Sequence, residues 1–139
     1  MVNDVVLSKI SIIERCTSRI EEVYNNDPEN LNDFTKQDSI ILNIQRACEA
    51  AIDLSMHIIA LQQLGLPQSS REAFDLLQHA GITNHSMTAR MKAMVGFRNI
   101  AVHNYQDIDH QILENIITNH ITDFKSFTQQ ILIQMDDKS

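Results

Sequence analysis

The chain has 139 residues, 43 % hydrophobic and 5 % aromatic with no Trp, which gives one domain with one core and excludes a disordered tail. No run of about 18 uncharged apolar residues occurs, which excludes a transmembrane helix, and Met1-Val2-Asn3-Asp4 lacks the basic and apolar regions of a secretory signal. The formal charge of −7 argues against a general nucleic-acid binder, because such domains carry a basic footprint.

In chain order, the first predicted helix runs from about Val5 to Tyr24, with Val6, Ile10, Ile13, Ile20 and Val23 near a 3.6-residue period. It stops in Asn25-Asn26-Asp27-Pro28-Glu29-Asn30, where proline cannot continue a helix. Asp38 or Ser39 is the expected N-cap of a second helix reaching about Leu64, with Gly65 as its left-handed terminator and Pro67 as its stop. Ser69 or Ser70 caps a short third helix, Arg71 to His79, closed by Gly81. Asn84 caps a fourth helix running towards Asn104, with Met87, Met91, Met94 and Val95 facing a core. The fifth begins near Asp107 or Asp109 and carries Ile112, Leu113, Ile116, Ile117, Ile121, Phe124, Phe127 and Ile131. No segment alternates as a half-buried strand does. The expectation is an all-α protein, a single domain over 1–139, built as an antiparallel bundle of four long helices plus one short helix.

Cys16 and Cys48 have no metal-type spacing and sit within helical pattern. They read as buried free thiols in a reducing compartment, which makes the cytoplasm the expected location. The six histidines contain neither H-x-x-x-H nor H-E-x-x-H, so no metal site is expected. No glycine-rich phosphate loop occurs, and no cofactor is expected.

Charge is distributed unevenly. From Leu76 to Gln106 there are 31 residues without an acid, and they hold Arg90, Lys92 and Arg98 together with His79, His85 and His103. A cationic stretch on an acidic body reads as a local anion site. Within it lies Gly96-Phe97-Arg98-Asn99-Ile100-Ala101-Val102-His103-Asn104-Tyr105. Arg98 is permanently cationic and needs a carboxylate or a phosphate for a partner. His103 offers an imidazole, the side chain most often used as a general acid or base, and Tyr105 offers a hydroxyl. Arginine for phosphate charge, histidine for proton transfer and tyrosine for orientation are what phosphodiester cleavage requires. Five helical residues rotate about 140°, so Arg98 and His103 do not share a face. Convergence requires the helix to end or distort near His103, or a second copy related by a twofold axis. On these grounds a structural ion-pair role and a catalytic role both stand.

The R-x-x-x-x-H-x-Y pattern of Arg98, His103 and Tyr105, with Asn99 directly after the arginine, resembles the signature of HepT-type HEPN ribonuclease toxins. The likeness extends over nearly the whole chain. It implies a metal-independent endoribonuclease acting on tRNA or mRNA, in which the RNA's own 2′-hydroxyl attacks the adjacent phosphate. Arg98 then holds the phosphate and His103 acts as general base or acid. Asn99, Asn104 and Tyr105 orient these groups or the substrate. The resemblance further implies a homodimer with the motif at a cleft between subunits, and an MntA-type nucleotidyltransferase antitoxin that attaches AMP to Tyr105.

The second predicted helix carries Arg46, Glu49, Asp53 and His57 on one face. Arg46 can pair with Glu49 and Asp53 with His57, as a solvated stripe. The functional alternative is that the stripe meets Arg98, and in proteins of the resembling family this helix packs beside the motif helix. Asp53 is therefore the expected supporting residue. From a different class, a non-catalytic helical module binding a nucleotide or a partner, with Arg98 and His103 in an ion-pair network, also fits the residues.

Overall fold

The computed structural model describes residues 3–103 and 108–137. Helix α1 (Asp4–Tyr24) is followed by a 3₁₀ turn (Pro28–Asn32), α2 (Phe34–Gln62), α3 (Ser70–His79) and α4 (His85–His103). The last helical stretch is α5 (His110–Asn115), a π-helical turn (Ile116–His120) and α6 (Ile121–Asp137). Every described residue outside these elements is turn, bend or coil, and no strand is present among them. The all-α reading holds, as do four long helical stretches and a short one.

Side-chain caps set the helix starts. Asn3 accepts from Val6 N at 2.9 Å, Ser69 from Glu72 N at 3.1 Å, Asn84 from Met87 N at 2.8 Å and Asp109 from Gln111 N at 2.7 Å. Two boundaries differ from the sequence expectation. The N-cap of helix α2 lies five residues before Asp38 and six before Ser39, because Asp33 Oδ1 accepts from Lys36 N at 3.1 Å and serves as the cap. At its other end Gln63, with φ of 54°, takes the left-handed position expected of Gly65, and Leu64 N bonds back to Ile59 O at 2.9 Å.

Helix α1 lies antiparallel against α2, as the contacts Asn3 to His57 and Lys9 to Asp53 require. The core between the helices includes Ile13, Ile20, Ile44, Leu54, Ile58, Phe74, Leu77, Phe124, Phe127 and Ile131. Each such side chain contributes about 1.5–3 kcal/mol on burial. Phe74 of α3 meets Phe127 of α6 edge to face, with ring centroids 5.8 Å apart. Both cysteines are buried and free. Among the described residues no helix is long and apolar enough to cross a membrane.

Candidate active site

Helix α4 buries Met87, Met91, Met94, Val95, Phe97 and Ala101, which fixes the rotation of the whole motif. Asn99, Val102 and His103 are consequently exposed, and Arg98 lies at the margin of the buried face. Gly96 permits close approach of α3: a Cβ there would lie 3.2 Å from Arg71 Nη2. The helix remains regular through His103. No distortion before that residue turns Arg98 and His103 towards each other, so the 140° divergence persists within one copy. Asn104 and Tyr105 lie outside the described residues.

Arg98 reaches across to α2. Its Nη1 lies 2.5 Å from Glu49 Oε1, with the arginine side chain 19 % exposed and the glutamate 45 % exposed. The guanidinium is thus largely withdrawn from water on a charge-assisted hydrogen bond. Its Nε is buried and has no hydrogen-bond partner among the described residues, an unspent donor of the sort that marks strain or function. Next to this pair, Cys48 donates from Sγ to Met94 O at 3.7 Å. Burial pushes the Cys48 thiol far up, Arg98 pulls it only partly back, and Glu49 adds to the rise. The thiol stays protonated and is no nucleophile.

The stripe on α2 divides in a way that its spacing did not disclose. Glu49, one turn before Asp53, is the carboxylate that meets Arg98. Asp53 instead pairs with Lys9 Nζ of α1 at 3.3 Å, and His57 Nε2 lies 2.9 Å from Asn3 Nδ2, so the expected Asp53–His57 pair is replaced by two links to α1. The reason is the helix wheel: each four-residue step along α2 advances about 40°, carrying the stripe from α4 towards α1. Arg46 lines a groove against α1 rather than holding Glu49.

Among the described residues no group of three or more His, Cys, Asp and Glu is placed to hold a metal ion. What the arrangement offers is a cationic group held on an internal carboxylate, and an exposed imidazole five residues later at the end of the same helix. Any other anion reaching Arg98 would have to share the guanidinium with Glu49 or displace it.

The family described as Ribonuclease HepT-like matches residues 13–131 of this chain. The mRNA nuclease HepT of Shewanella oneidensis is 46 % identical over 129 residues, spanning 93 % of this chain and 97 % of that protein. Two solved structures superpose with a TM-score of 0.90. One is a toxin–antitoxin with AMP-PNP, 44 % identical over 94 % of this chain and 99 % of its own. The other is a tri-AMPylated Shewanella oneidensis HEPN toxin in complex with its MNT antitoxin, 45 % identical over 95 % of this chain and 99 % of its own.

Proposed function

The chain belongs to the Ribonuclease HepT-like family, and on that premise we propose that it is a metal-independent endoribonuclease toxin, acting in the cytoplasm on mRNA or tRNA. The observation that carries the reading is the state of Arg98: mostly buried, tied to Glu49 by one nitrogen and holding a buried, unspent Nε, five residues before the exposed His103. A phosphate that displaces Glu49 meets a preorganised cation in a poorly hydrated place, where charge developing on the phosphoryl oxygens is stabilised most.

The reaction is a transesterification. The ribose 2′-oxygen attacks its own 3′-phosphorus as His103 accepts the 2′ proton. The bond from phosphorus to the 5′-oxygen breaks, a proton is delivered to that oxygen, and a 2′,3′-cyclic phosphate remains. Base and acid are two roles, and each copy offers one motif histidine. A twofold homodimer with facing α4 ends supplies both and brings Arg98 of one copy near His103 of the other. Asn99, exposed beside Arg98, orients substrate together with Asn104 and Tyr105, which follow His103 directly in the chain. Asp53, a turn from Glu49, supports the site through its link to α1. The partner is a nucleotidyltransferase antitoxin, with Tyr105 as the AMP acceptor: a nucleotide phosphate there occupies the cation that Arg98 otherwise offers to RNA.

Incubating the purified protein with RNA in EDTA and identifying the 3′ ends tests this. Cyclic phosphate ends made in chelator support it, whereas cleavage that needs added Mg²⁺ or Zn²⁺ refutes it. Light scattering at micromolar concentration tests the dimer: an active monomer rules it out. The Arg98–Glu49 pair is also what a non-catalytic interaction module displays. Intact protein that leaves every RNA uncut establishes that second reading.

A further inference from the structure

We propose that the groove between α1 and the first half of α2, lined by Arg15, Arg19 and Arg46, is a phosphate track that holds the RNA strand beside the scissile bond. The proposal rests on the ribonuclease reading and assigns residues outside the Arg98–His103 motif.

The groove has a volume of about 650 Å³ and is bounded by residues from Ile12 to Val23 on one side and Thr35 to Arg46 on the other. Three of the chain's eleven Lys and Arg residues line it against one carboxylate, Asp38. On a chain of formal charge −7, that concentration of cations in one concave place makes a local positive field. Arg15 and Arg19, four apart on α1, project from the same face. All three arginines are exposed and able to reach a ligand. The pair of Arg19 with Glu22, at 3.5 Å and 57 % and 70 % exposed, is a solvated contact that a phosphate displaces at little cost.

Charge is directed into the groove as well as outwards. Cys16, buried at its base, has its thiol pushed up by burial and pulled back first by Arg46 and then by Arg15.

Position ties the groove to the chemistry. Arg46 and Glu49 are three apart, so they stand about 4.5 Å apart along α2 and about 60° apart around it. The groove therefore opens one helical turn from the carboxylate that holds Arg98. A strand whose scissile phosphate replaces Glu49 has its neighbouring phosphates at Arg46, and then at Arg15 and Arg19.

The lining also says what is read. Among the described residues it contains no aromatic ring on which a base stacks; its apolar members are Ile12, Val23 and Leu42. Guanidiniums without stacking platforms contact the backbone and leave the base sequence unread.

The test is fluorescence anisotropy with labelled 2′-O-methyl oligouridylates of about 4 and 12 nucleotides, which the transesterification cannot cut. The variants are Arg15→Gln/Arg19→Gln/Arg46→Gln and, as a control on other faces of the bundle, Lys92→Gln/Lys125→Gln. Wild type gains affinity from the short to the long strand. The triple variant loses most of that gain, about tenfold or more at low salt. Its log–log salt slope falls by about 2, since each single-strand phosphate contact contributes about 0.7. The control keeps the gain, and oligoadenylate behaves as oligouridylate does.

A triple variant, folded by circular dichroism, that binds the long strand as wild type does overturns the proposal. So does a triple variant that binds RNA normally and no longer co-purifies with its nucleotidyltransferase; the groove is then a protein-docking face. Wild type that neither binds the long strand nor cuts RNA in EDTA sinks the ribonuclease reading along with the groove. Wild type that cuts, with unchanged binding in the triple variant, sinks the groove alone.

Discussion

Two ion pairs leave α2 one turn apart, and they do different work. Asp53 holds Lys9 with side chains 56 % and 30 % exposed. Water screens both partners there, and such a pair is worth about 0–1 kcal/mol. Glu49 holds Arg98, whose side chain is only 19 % exposed. Losing that carboxylate leaves a guanidinium short of solvent and short of a partner, a state that favours any other anion able to reach it. Sequence, charge and spacing are nearly the same for the two acids. Which one matters is decided by whether the neighbouring cation comes from an exposed stretch of α1 or from the margin of α4's buried face.

The contrast can be broken most severely at the far end of α4. His103→Ala removes the proposed proton-transfer group and lowers RNA cleavage by about 10²–10⁴-fold, with the thermal melt unmoved because the side chain is exposed. Wild-type rates in a gel assay for this variant would leave His103 without a catalytic part. Arg98→Lys keeps the charge and loses the planar fork, so a fall of about 10²-fold in kcat is expected. If lysine substitutes fully, point charge is enough and the fork has no role.

Glu49→Gln sharpens the comparison. It removes the internal competitor while keeping a hydrogen-bond acceptor, so KM for RNA falls about three- to tenfold with kcat nearly constant. Stability drops by about 1 kcal/mol, given the exposure of Glu49. A raised KM would show that Glu49 orients Arg98 for substrate rather than competing with it. Asp53→Asn is the smallest expected effect: below about 1 kcal/mol by urea titration and under twofold in KM. A larger loss of activity would restore Asp53 as the principal support of the site.

Much of the bundle was legible because periodic Ile, Leu, Met and Phe positions mark helices whatever their neighbours. The cap at Asn84 has a local cause and was readable outright, and those at Ser69 and Asp109 were readable as one of two nearby candidates each. Asp33 was missed because Asp38 and Ser39 also precede apolar residues, and the choice among them depends on how Leu31 and Ile40 both reach the core. Gln63 was missed because glycine is the usual left-handed residue and Gly65 stood nearby. At the site, the Arg98 and His103 spacing is a property of one helix and was visible. The preference for Glu49 over Asp53 depends on the contact of α2 with α4. The pairing of Arg15 and Arg19 with Arg46 depends on the antiparallel register of α1, which no single helix encodes.

The π-helical turn at Ile116–His120 gives the last helical stretch a built-in change of phase. Its wider hydrogen-bonded loop takes up one residue more than an α-helical turn, so α5 and α6 are out of step by about 100°. That offset lets α6 bury Phe124, Phe127 and Ile131 while α5 turns His110 towards Gln37 of α2, with the two nitrogens 2.8 Å apart. The same residues wound as a continuous α-helix would rotate α5 by about 100° and present Glu114 where Leu113 now packs, whereas deleting one residue inside the turn would restore α-helical bonding and leave α5 facing as it does now. The π turn, more than the identity of any one of its residues, acts as the vernier that aligns α5 with the rest of the bundle.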